Sequence, residues 1–139
     1  MATTSTPIFP QTIQSESVQI LPATTTTQVT LYTGGTNGSK IENIIATNTD
    51  TAAAYALTLA IVTGGTSYII GTINVPLSSG NTTAAPAVSL INNANLPLPK
   101  DSNGNPYIYL GSGSVLKVNS GTTVNTGKVV SITAIGGDY

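Results

Sequence analysis

The side chains that could do chemistry in this chain are few and far apart. Its charged residues are five carboxylates, Glu16, Glu42, Asp50, Asp101 and Asp138, and four lysines, Lys40, Lys100, Lys117 and Lys128. His, Cys, Trp and Arg are absent. Two carboxylates flanking a bond can hydrolyse a glycoside, one as acid and the other as base or nucleophile. No spacing in the sequence brings two of the five together. A serine nucleophile with a lysine base could arise at Ser39 and Lys40 or around Lys117, but adjacent strand residues point to opposite faces. Without His or Cys the usual general bases and soft nucleophiles are missing. The expectation is a protein that is not an enzyme.

Binding chemistry is better represented. Asp101, Asn103 and Asn105 supply oxygens at alternate positions, as calcium loops do. The glycine is displaced from its place in such a loop, one carboxylate is present, and Ser112 stands where a bidentate Glu would fall. An Asx-rich turn is the simpler reading, and no metal and no cofactor is expected. Tyr107 and Tyr109 share one face of a short strand directly after this Asn-rich loop. Small β-sandwich lectins use such an aromatic platform, although tyrosines on a strand also pack at edges and interfaces. A lectin would normally add a localised cluster of acceptors, and here the carboxylates are dispersed. Nucleic acid is excluded as a partner, because phosphate binding needs a cationic footprint that four scattered lysines, outnumbered by acids, do not make.

Composition points to assembly. Charged residues are 6% of the 139, against roughly 25% in ordinary soluble domains. The solvent face must therefore be covered by hydroxyls and amides, with little charge repulsion between copies. A net charge of −1 favours association, so a permanent homo-oligomer, dimer or trimer, is expected. The first ten residues have neither a basic nor an apolar signal region. The longest apolar stretch, 52–62, is about half the roughly 20 residues of a membrane helix. No signal peptide and no membrane partner are expected.

The elements that must position these residues are strands. Tyr55, Leu57, Leu59 and Ile61 alternate at period two, as one face of a strand must. The opposite face, Ala54, Ala56, Thr58, Ala60 and Val62, is small and mostly apolar, which suggests a cover on both sides. Further strands are expected at 18–21, 28–32, 40–47, 68–75, 107–110, 114–119 and 128–135. Between them lie turn clusters rich in Gly and Asn, such as Gly34-Gly35, Asn37-Gly38 and Gly64-Gly65. The segment 87–95, with Val88, Leu90 and Ile91 on one side, is the one helical candidate. About eight short strands so punctuated predict an all-β, single-domain β-sandwich of jelly-roll or immunoglobulin-like kind, or a small barrel.

Residues 1–16 differ from the rest and read as an extended N-terminal arm, with the sandwich domain occupying 17–139. Pro7, Ile8, Phe9 and Pro10 form its centre, and the two prolines fix an extended backbone. Phe9 is the one phenylalanine of the chain, and it lies outside the expected core. Pro7, Ile8, Phe9 and Pro10 are therefore the candidate partner-binding residues.

A low-charge, Thr-rich β-domain with such an arm resembles the cement or decoration proteins of tailed bacteriophage capsids. The run from Leu96 through Pro97, Leu98, Pro99 and on to Tyr107, and the ending Gly136, Gly137, Asp138, Tyr139, are similar to small phage virion proteins. The resemblance implies a jelly-roll-like sandwich on the outer capsid surface, made in the host cytoplasm, that bridges neighbouring major capsid subunits. Its partners would be the major capsid protein and further copies of itself. The alternatives are another virion component, a tail or head fibre, or a small carbohydrate-binding module.

Overall fold

A computed structural model describes residues 9–24 and 26–139 of the chain. Its regular structure is entirely β. The strands are β1 (Thr12–Ile20), β2 (Val29–Thr33), β3 (Ser39–Asn48), β4 (Tyr55–Thr63), β5 (Thr66–Val75), β6 (Val88–Ser89), β7 (Ile108–Leu110), β8 (Val115–Ser120) and β9 (Val130–Asp138). They form two antiparallel sheets packed as a sandwich. One runs β1-β9-β3-β6, with β7 also paired to β3, and the other runs β2-β8-β4-β5. Most connections cross from one sheet to the other, the β4–β5 hairpin and the β6–β7 pair excepted, and β9 lies between β1 and β3, and β8 between β2 and β4. The strand order of this sandwich is jelly-roll-like.

Alternation decides which side chains meet in the middle. Ile20, Ile41, Ile44, Ala46, Ile132 and Ala134 face inward from the five-stranded sheet. Leu31, Tyr32, Tyr55, Leu57, Leu59, Ile73, Leu116 and Val118 meet them from the other. The outward positions of β4 are mixed: Ala60 is buried, Thr58 and Val62 are half-buried, and Ala56 is exposed. Ile69 of β5 stands beside Ala60 in register and is exposed.

Two parts of the chain depart from the sequence pattern. Residues 87–95 form no helix. Val88 and Ser89 pair with Ala46 and Ile45 of β3, the Leu90 amide donates to the Ile44 carbonyl at 2.8 Å, and Leu90 and Ile91 are buried. The apolar residues that suggested a helical stripe pin a loop to the sheet edge, between prolines that discourage a longer helix. This loop supplies one short strand, β6, so nine are found among the described residues where about eight were expected. The other departure is at the start of the fold, where β1 begins at Thr12 and not at Ser17. Thr12 to Ile20 pair in unbroken register with Asp138 to Val130, so residues 12–16 belong to the sheet. Their apolar signal is weak because Gln14 and Glu16 occupy the inward side of an edge strand.

The β3–β9 pairing contains a bulge between Ile41 and Asn43. Opposite it stands Gly136, where an added Cβ would collide with the Lys40 carbonyl oxygen. Glycine is required there by the closeness of the two strands.

Candidate functional site

The residues singled out by sequence are mostly drawn apart by the fold. Ser39 and Lys40 form no nucleophile–base couple. The Ser39 hydroxyl turns inward and donates to Asp138 Oδ1 at 2.5 Å, while Lys40 Nζ lies outside, 5.1 Å from the centre of the Tyr107 ring. Among the described residues no group of three or more His, Cys, Asp or Glu side chains is placed to hold a metal. The Asp101 carboxylate is engaged in its own loop. Its Oδ1 accepts from the Asn103 amide at 2.8 Å and the Asn105 amide at 2.9 Å, and these bonds, that from Asn105 first, hold the carboxyl below its ordinary pKa. The segment is an Asx-rich turn. In the arm, Phe9 is 71% exposed and Pro10 is also exposed, while Pro7 and Ile8 lie outside the described residues.

Two carboxylates instead anchor internal networks. Asp50 follows the end of β3 and is 1% exposed. Its Oδ2 accepts from the Tyr55 hydroxyl at 2.6 Å and from Asn125 Nδ2 at 2.7 Å. Its Oδ1 accepts from the Ala52 and Ala53 amides at 2.8 and 3.1 Å. The Tyr55 bond first, then that from Ala52, pull its pKa down to about 2 against the opposing effect of burial. At the other end of β3, Asp138 accepts from Ser39, from the Tyr32 hydroxyl at 3.0 Å and from Gln14 Nε2 at 3.2 Å. Burial, reinforced by Asp138, pushes the Tyr32 hydroxyl up to about 12. Both networks lie within the sandwich and hold it together.

The surface arrangement with most chemical content is a row of tyrosines at the β7 edge. Tyr109 pairs with Lys40 across the strands, and both point away from the core. The rings of Tyr107 and Tyr109 meet edge-on with centroids 4.7 Å apart, and Tyr139 stands 6.4 Å beyond Tyr109. Burial first, then the Tyr109 hydroxyl beside it, pushes Tyr139 up to about 12. Lys40 also pairs with Glu42 at 3.3 Å, a surface contact of small energetic value. Between Tyr107, β3 and the 99–107 loop lies a groove of about 400 Å³ whose lining includes Lys40, Asn43, Ser89, Asn92 and Asn105. The sequence pointed to Tyr107, Tyr109 and the Asn-rich loop. It gave no sign that Tyr139 joins them, because that contact depends on β9 returning beside β3.

Comparison with family models, with curated proteins and with solved structures finds no match for the chain.

Proposed function

We propose that this protein is a non-catalytic structural component of a virion, a decoration protein that binds the outer surface of a phage capsid and bridges its major capsid subunits. The observation that carries this reading is the character of the sandwich's outer faces. Of the outward strand positions, Lys40, Glu42 and Lys117 carry charge, and the rest are hydroxyls, amides, aliphatics and tyrosine. Neighbouring hydroxyls bond to each other across strands, Ser17 to Thr133 at 2.8 Å and Thr58 to Thr72 at 3.0 Å. Such faces suit broad, shallow contact repeated over many copies, where weak individual contacts add up on a lattice. They suit a charged or deeply buried ligand poorly. Jelly rolls recur in both capsid and lectin proteins, so the fold by itself does not choose between those roles.

In this reading the arm adds contact area through Phe9, and burying such a side chain is worth about 1.5–3 kcal/mol before ordering costs. Rate-zonal sedimentation of native material tests the proposal. The protein should travel with large particles and be released from them as a small oligomer on mild dissociation. Sedimentation only as a free species, with no particle-bound fraction, would refute it. Deleting residues 1–9 should weaken retention on the particle without altering the melting temperature of the free protein.

A further inference from the structure

We infer that the groove lined by Tyr107, together with the exposed Tyr109 ring packed against Tyr107, is a binding site for a neutral oligosaccharide, a role separate from attachment to a particle. Tyr109 is 56% exposed although it sits between two other aromatic rings. It bounds a hollow of about 630 Å³ together with Gln11, Asn37 and Tyr139, and its ring meets that of Tyr107, which lines the groove of about 400 Å³. Sugar rings present an apolar C–H face and a rim of hydroxyls. They are held by an exposed aromatic surface for the first and by fixed hydrogen-bonding groups for the second.

The fixed groups are present along the groove. The Asn43 side-chain oxygen accepts from the Ser89 hydroxyl at 3.0 Å, which orients its amide nitrogen as a donor. The Asn105 side chain donates to Asp101 through Nδ2 at 3.5 Å, which leaves its oxygen as an acceptor. The wall that carries Asn105 is tied down by the Asp101 amide donating to the Asn105 carbonyl at 2.9 Å and the Tyr107 amide donating to the Pro99 carbonyl at 3.1 Å. A rigid wall reduces the ordering cost of binding. The charges decide the ligand class. Lys40 is already paired with Glu42, and Asp101 adds a second carboxylate to the lining, so an anionic glycan would meet net negative charge. A neutral chain of hexose or N-acetylhexosamine units is not repelled by that charge.

The test is a titration of the isotope-labelled full chain with maltohexaose, cellohexaose, mannohexaose and chitohexaose, and with oligogalacturonate as the acidic control, followed by NMR. At least one neutral hexasaccharide should shift the ring signals of Tyr107, Tyr109 and Tyr139 saturably at millimolar concentration. Tyr109→Ala should weaken that binding by about tenfold with an unchanged melting temperature, the size of loss expected when one aromatic anchor is removed. Asn92→Ala, on the loop, should weaken it less. Particle retention should not change in either variant. The inference is overturned if no neutral member shifts the tyrosine signals, if Tyr109→Ala binds as well as the parent, or if the acidic control binds best.

Discussion

The two ends of β3 solve one problem with different materials. At each end a carboxylate accepts from a buried tyrosine of the opposite sheet: Asp50 from Tyr55, and Asp138 from Tyr32. The other donors differ. Around Asp50 two are backbone amides and one is the Asn125 amide, and Tyr55 is itself fixed by accepting from the Asn125 backbone amide at 2.9 Å. The two backbone amides cannot become acceptors, and the Tyr55 hydroxyl is held in its donor role by the Asn125 backbone amide. Around Asp138 the side-chain donors are two hydroxyls and the Gln14 amide, which can rotate or flip to serve either role. One end therefore demands a carboxylate, and the other would accept a substitute. The comparison also separates their tasks. Asp50 and Asn125 close connecting loops over one pole, whereas Asp138 joins β9, β3 and β1 to β2 of the facing sheet.

The largest effect should come from removing strand as well as side chain. Deleting residues 1–16 takes away most of the β1–β9 ladder and the Gln14 partner of Asp138. The free protein should lose most of its cooperative melting transition by circular dichroism, whereas deletion of 1–9 should leave it intact. If the longer deletion melted like the parent, the Asp138 end would contribute nothing to the common fold. Next in size is Asp50→Asn, which sets an amide nitrogen either against the Ala52 and Ala53 backbone amides or against the Tyr55 hydroxyl, and leaves a donor unpaired. It should lower the melting temperature well beyond Asp138→Asn. Equal losses would remove the distinction between rigid and adaptable donors.

Smaller effects sharpen the same contrast. Tyr55→Phe removes both a donor to Asp50 and the acceptor of the Asn125 amide, and should cost about 1–3 kcal/mol. Tyr32→Phe leaves Asp138 with Ser39 and Gln14 and should cost about 0.5–1.5 kcal/mol. Each kcal/mol corresponds to about 3–5 °C in melting temperature for a chain of this size, so calorimetry can rank the pair. The pH response is the smallest effect near neutrality. The pKa of Asp50 falls on folding from 3.8 to about 2, so its contribution is complete above the higher value and is lost as pH falls through the lower. That of Tyr32 rises from 10.0 to about 12, so its contribution is complete below 10.0 and is lost as pH climbs through about 12. Melting temperature should be nearly level between about pH 5 and pH 9 and should fall at both extremes. A marked slope within that plateau would show that other groups govern the pH response.

The strands were legible because burial imposes alternation on them. Tyr55, Leu57 and Leu59 follow the pattern and are buried, and the glycine clusters do fall between strands. β1 was half hidden, since an edge strand with Gln14, Ser15 and Glu16 satisfies its backbone through β9 without an apolar run. The segment 87–95 misled because Val88, Leu90 and Ile91 can serve either a helix stripe or a loop pinned to a sheet. The carboxylate networks were illegible for another reason. Asp50 meets Asn125, and Asp138 meets Tyr32 and Ser39, across long stretches of chain that only the winding brings together. The tyrosine row was half legible: Tyr107 and Tyr109 are sequence neighbours, whereas Tyr139 is supplied by topology.

The place of β9 also sets the order of events during synthesis. It is the last of the nine described strands to leave the ribosome, yet it fills the middle of the five-stranded sheet, between β1 and β3. Until residues 130–138 emerge, β1 has no neighbour in its own sheet and one edge of β3 stays open. Until then a nascent chain carries unpaired strand edges, the condition that favours aggregation. Non-local all-β folds of this kind fold in about milliseconds to seconds, and the nine residues of β9 decide when this sheet can close.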